Sequence, residues 1–161
     1  MFKIGDQAVY PVHGVGEIKA IETRNISGSE TTFFIMKIYD SDMKILIPTM
    51  ATSSVGLRKI TPILELEKVY KVLRTEKRTI THLPWNRRQK LYSEKLKKGS
   101  LFDVAEVFRD LTSIKQAKDL SFGERKMFDT ARNLLVKELS ASKGVSEEKV
   151  VEDLNKMLSF Q

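Results

Sequence analysis

The sequence predicts an α+β chain: a small five-stranded β-barrel over residues 1–61, followed by a compact all-α domain over residues 62–161. Three observations predict it. The first sixty residues run in short apolar-polar alternations broken by turn residues, and after Pro62 the apolar period lengthens from two to about 3.6. The positive charge, nearly balanced in the first part, gathers in one stretch of the second.

The runs QAVY, VGEIKAIETRNI, TTFFIMKIY, MKILIP and VGLRKI are rich in β-branched and aromatic residues. PVHG at residues 11–14, Ser27-Gly28, DSD at residues 40–42 and the stretch at residues 49–54 separate them. Five strands in so short a span suggest a closed barrel of the Tudor or SH3 kind, a scaffold that usually binds a partner without itself naming it.

In the second part, Ile63, Leu66, Tyr70 and Leu73 line one helical face, and Leu101, Val104, Phe108 and Leu111 line another. Ser100 with Asp103 and Ser121 with Glu124 have capping spacing, so helices start there. Met127, Ala131, Leu134, Leu135 and Leu139 continue the third face toward a stop at Gly144. Ser146, Glu147 and Glu148 open a last helix carrying Val150, Leu154 and Leu158.

The chain has 161 residues and a formal net charge of +7. Residues 68–98 carry eleven Lys/Arg against only Glu76 and Glu94, a balance of +9. A concentrated basic stripe faces a polyanion or serves as a solvated helix face. No window approaches the roughly 18 consecutive apolar residues of a membrane span, and the start lacks the apolar segment of a signal peptide. The expectation is a cytoplasmic, monomeric protein with no membrane partner. With no cysteine, disulfides and thiolate metal sites are excluded.

Catalysis finds little support. His13 and His82 are the only histidines, so no metal-ligand spacing exists, and GVG at residues 14–16 is too short for a nucleotide loop. Asp40 and Asp42 flank Ser41 in what reads as a polar turn. No nucleophile, base and orienter can be assembled, and the expectation is no enzyme, no cofactor, no metal and no small-molecule substrate.

Residues 82–92, HLPWNRRQKLY, hold the sole tryptophan. Asn86 followed by Gln89 has capping-box spacing, which predicts a helix from Arg87 and leaves Trp85 on the approach loop stiffened by Pro84. Arg87 and Arg88 then fall in the first turn, where the helix dipole disfavours cations, and beside free N–H groups they suit a phosphate. Lys90 and Lys95 extend the patch along the helix, and Lys97 and Lys98 continue it. Trp85 either wedges against bases while the cations hold the backbone, or closes the core between helices.

FKIGDQAVYPVHGVGEI, PWNRRQKLYSEKLKKGSLFDVAEVFRDL and DLSFGERKMFDTARNLLVKEL together resemble the CarD/CdnL family of bacterial RNA polymerase-binding transcription factors, along the whole length. The resemblance implies that the Tudor-like domain pairs a strand with the RNA polymerase β subunit. Its contacts would fall at Arg24 and Ile26 on the second strand and Leu46 and Pro48 on the fourth. It further implies that Trp85 meets promoter DNA at the upstream edge of the transcription bubble, with Arg87, Arg88 and Lys90 on the backbone. Phe122 matches a family position linked to an apolar surface patch. Read from the residues alone, Ile26 and Leu46 equally suit the barrel core, and Phe122 a core contact at a helix start. The alternative function is a non-specific DNA-binding architectural protein that needs no polymerase. A third is an RNA-associated barrel protein.

Overall fold

Ser27 and Gly28 fold the longest hairpin, both at positive φ (52° and 84°), as the two-residue turns that match strand twist require. In the computed structural model, which describes residues 1–11, 13–75 and 82–158, this hairpin joins β2 (Gly14–Ile26) to β3 (Ser29–Ile38). β1 (Gln7–Tyr10), β4 (Lys44–Pro48) and the two-residue β5 (Arg58–Lys59) complete an antiparallel sheet of order β4-β3-β2-β1-β5. Alternation then decides the faces. Phe34, Met36, Ile38 and Ile47 turn to one side with Ala8, Ile18 and Leu57, and form the core of this unit, Met1–Ile60.

The sheet is not closed: β4 and β5 are its two edges, and among the described residues no rung joins them. The fifth run yields only two strand residues. The preceding stretch, expected to be a loop, coils into a 3₁₀ turn (Thr49–Ala51) and the short helix α1 (Thr52–Val55). Hydroxyls close this coil: Ser54 Oγ donates to the Ala51 carbonyl at 2.9 Å, the side-chain-to-backbone competition that draws Ser and Thr out of strands.

Among its described residues the second unit, Thr61–Gln161, contains a 3₁₀ turn (Ile63–Glu65) and five helices: α2 (Leu66–Arg74), α3 (Trp85–Lys98), α4 (Leu101–Ala117), α5 (Phe122–Lys143) and α6 (Glu147–Leu158). Ser100 caps α4 through the Asp103 N–H, and Ser121 with Glu124 forms a complete capping box on α5. Gly144 ends α5 in the left-handed conformation, and Ser146 Oγ accepts from the Lys149 N–H at the start of α6. Leu66, Val69, Leu73, Leu101, Val104, Phe108, Leu111, Ala131, Leu135, Leu139, Val150 and Leu154 pack one core. Ile63 is 59% exposed and Val69 takes its place inside, because the chain enters α2 through a 3₁₀ turn whose tighter period rotates Ile63 off the helix face. Glu138 anchors the entry: one of its oxygens accepts from both the Thr61 N–H and hydroxyl, at 2.9 and 2.7 Å. No described helix is long and apolar enough to cross a membrane.

Candidate nucleic-acid interface

The basic stretch at residues 68–98 reaches the structure in two pieces, since its residues 76–81 lie outside those described. The second piece is α3, and it starts two residues earlier than the Asn86 spacing predicts. Pro84, with φ −57° and ψ 151°, is the N-cap, and its carbonyl accepts from the N–H groups of Arg87 and Arg88 at 3.1 and 3.0 Å. Asn86 caps nothing and points to solvent. Tertiary packing overrides the local signal: a helical Trp85 packs against the core, where its ring sits 6.5 Å from that of the fully buried Tyr92.

Trp85 is half-buried, and its indole rests on the N-terminal turn of α5. A Cβ at Gly123 would stand 2.9 Å from Trp85 Nε1 and 3.2 Å from Cζ2, closer than a methyl group tolerates. Trp85 thus packs on the core of this unit while keeping part of its surface exposed.

The two arginines part company. Arg87 is exposed, at an N-terminus with no acidic residue in its first turn and no side-chain cap. Arg88 is 5% exposed and turned inward. Its Nε donates to the Leu83 carbonyl and its Nη2 to Glu124 Oε2, each at 2.9 Å, while Cζ lies 5.1 Å from the Trp85 ring centroid. Nη1 is buried with no hydrogen-bond partner among the described residues. The expectation of Arg88 as an exposed phosphate ligand is therefore corrected; its side chain belongs to the interior because Glu124 is there to meet it.

Lys95 also departs from the patch, since it is ion-paired with Glu106 of α4. Lys90 is exposed beside Arg87, and these two line a shallow depression with Leu91 and Glu94. Lys97 and Lys98 are exposed in the last turn, where the helix dipole favours cations.

Below Trp85 the interior is polar in an ordered way. The Tyr92 hydroxyl lies 3.5 Å from Asp110 Oδ2, and Arg109 donates to Asp110 Oδ1 through Nε and Nη2, both at 3.1 Å. Burial pushes the Tyr92 phenol up, and the Asp110 charge adds to it. Burial also raises the Asp110 carboxyl, with Arg109 opposing. Burial would likewise raise Glu124, but the hydrogen bonds from the Ser121 backbone and Arg88 together outweigh it and hold the carboxyl below its ordinary value.

Phe122, the first residue of α5, is 88% exposed, which rules out a core contact. It immediately precedes Gly123, which carries the indole. Sequence reasoning took Glu124 for a cap alone and passed over Gly123. One signal was present: a glycine inside the first turn of a helix costs about 1 kcal/mol against alanine and asks for a steric reason.

In the first unit, register places Arg24, Ile26, Leu46 and Pro48 on one face of the sheet, opposite the core. Arg24 pairs with Thr31 and Ile26 with Ser29, while Leu46 lies across from Ile35 and Pro48 from Phe33. Ile26 and Leu46 are 51% and 40% exposed, so neither is core. Arg24 is held by Glu22 on its own strand, through Nη2 at 3.0 Å and Nε at 3.3 Å. β4 is an edge strand, open for pairing along its outer side.

Residues 2–61 match the family model of the CarD-like/TRCF RID domain, and residues 68–155 that of the CarD C-terminal domain. The chain is 36% identical over 150 residues to a Bacillus subtilis (strain 168) protein named "Putative transcription factor YdeB", covering 93% of this chain and 97% of that one. The solution NMR structure of the 72-residue N-terminal domain of Myxococcus xanthus CarD shares 29% identity at a TM-score of 0.33, over 37% of this chain and 79% of that one. With both parts of the chain matched and a relative aligned over nearly its full length, the chain belongs to the CarD/CdnL family of transcription factors.

Proposed function

We propose that the chain docks on the β subunit of RNA polymerase through its N-terminal sheet, which we read as a Tudor-like domain. From there it stabilises the open promoter complex by placing Trp85 at the upstream edge of the transcription bubble. The observation that carries this reading is the start of α3: a half-buried tryptophan at an uncapped N-terminus, flanked by the exposed Arg87 and Lys90. Free helical N–H groups and guanidinium groups bind phosphate, and an indole edge stacks on an unpaired base. The exposed ring of Phe122, one residue from the glycine beneath Trp85, widens the apolar part of this surface.

Magnitudes explain the second unit's need for the first. A few phosphate contacts give non-specific binding with Kd of about 10⁻⁴ to 10⁻⁶ M, too weak to hold a promoter. Docking on polymerase raises the effective concentration of the patch beside DNA to roughly millimolar. The exposed Leu46 and the partly exposed Pro48, on the strand whose outer edge is open, support β-strand addition as the docking mode.

The test is the lifetime of open promoter complexes formed by the cognate polymerase, challenged with competitor, with and without this chain. A longer lifetime is expected. An unchanged lifetime despite binding to promoter DNA would reject the reading in favour of an architectural DNA-binding protein.

A further inference from the structure

We infer that Arg88, Glu124 and Gly123 form a positioning device for Trp85, so that Arg88 serves DNA binding through the pose of the indole and not by meeting a phosphate. This rests on the role proposed for Trp85. Arg88 and Gly123 meet the indole directly, and hydrogen bonds hold Arg88 and its carboxylate partner in place around it. Arg88 fastens the Leu83 carbonyl, on the approach to Trp85, to the start of α5, since its Nε and Nη2 reach Leu83 and Glu124 at the same 2.9 Å. Its guanidinium lies against the ring. The Glu124 carboxylate is itself immobilised, because Oε1 accepts from the Ser121 N–H at 2.9 Å while the Ser121 hydroxyl accepts from the Glu124 N–H at 3.2 Å. Gly123, between the two capping residues, leaves the space the indole occupies.

Each part would be incomplete alone. A half-buried tryptophan against aliphatic side chains can adopt several rotamers. A planar cation, a fixed carboxylate and a missing Cβ leave few, and a rigid pose spares ordering entropy on binding. Neighbouring arginines thus divide the work: Arg87 stays in solvent to meet DNA, and Arg88 sets the angle at which the tryptophan does so.

The sole tryptophan makes the device directly observable by its emission and by iodide quenching in the full-length chain. Three variants separate the roles. Arg87→Ala removes an exposed cation. Arg88→Met combined with Glu124→Gln removes both buried charges together, so neither is stranded. Gly123→Ala leaves the ion pair and cap in place, favours the helix, and removes only the space. Binding to a DNA duplex with an unpaired end is measured over a range of salt.

Arg87→Ala is expected to lower the slope of log K against log salt by about 1 and to leave emission unchanged. The double variant and Gly123→Ala are expected to shift emission and raise iodide quenching, to leave the slope as it was, and to shorten open-complex lifetime by about 5-fold or more, in the direction of Trp85→Ala. A double variant that lowers the slope as Arg87→Ala does, with emission unmoved, overturns the inference. So does a shifted emission with full open-complex lifetime, provided Trp85→Ala itself shortens it. If Trp85→Ala leaves the lifetime unaltered, the wedge reading fails, and the emission of Gly123→Ala still decides whether the indole is held as inferred.

Discussion

Glu124 meets Arg88 Nη2 at 2.9 Å in an interior where both side chains are below 10% exposed. Although burial acts to raise the carboxyl, its hydrogen bonds hold it low. A depressed folded value means the contribution to stability is complete above the unfolded glutamate value of about 4.3 and is lost as pH falls through the lower folded value. Asp110, raised by burial, contributes with the opposite sign. Comparing Glu124→Gln with the parent by urea denaturation isolates the Glu124 share. The difference between them should shrink between about pH 5 and pH 3, and a difference constant over that window would exclude the ion pair as its source.

Arg88→Ala should be among the most damaging single substitutions in α3. It strands the Glu124 carboxylate, and breaking a buried pair costs about 3–5 kcal/mol. The paired Arg88→Met, Glu124→Gln variant should lose clearly less, and a double-mutant cycle on denaturation midpoints reports the coupling.

Trp85→Ala should bind polymerase as the parent does while losing most of the open-complex stabilisation. Stacking of one base on an aromatic ring is worth roughly 1–3 kcal/mol, and a contact made only in the open state shifts that equilibrium by about 5- to 150-fold. Open-complex lifetimes measure it, alongside co-purification with polymerase.

Charge reversal at Arg87 and Lys90, the two exposed cations of the α3 start, should weaken DNA binding to the same degree on unrelated sequences. Phosphate contacts position without specifying. Affinities for several duplexes of differing composition test this, and a strong sequence preference in the parent would contradict it.

Leu46→Asp should abolish polymerase docking and leave the sheet intact. Leu46 is 40% exposed on the face away from the core, so folding stability should fall by only about 1 kcal/mol, while a charge enters the proposed docking face. Pull-down of the β subunit together with a thermal melt checks both halves.

Much of this architecture was legible locally. Alternation located β1 to β4, the Ser27-Gly28 pair placed the hairpin, and Ser100, Ser121 and Gly144 marked helix ends, because each signal acts over a few bonds. The expected barrel remained an open sheet for the opposite reason: closure depends on how two edges meet, and no local pattern encodes that. Residues 82–92 show the same division. By itself the sequence determined that this stretch carries cations and the only tryptophan at a helix start. Only the tertiary structure decided that the helix begins at Trp85, that Arg87 stays outside, and that Arg88 turns inward. Two adjacent arginines are equivalent to any short-range rule. What distinguishes them is a carboxylate 36 residues further along the chain, brought within 2.9 Å of one by helix packing, in an interior where an unpaired charge is too costly to keep.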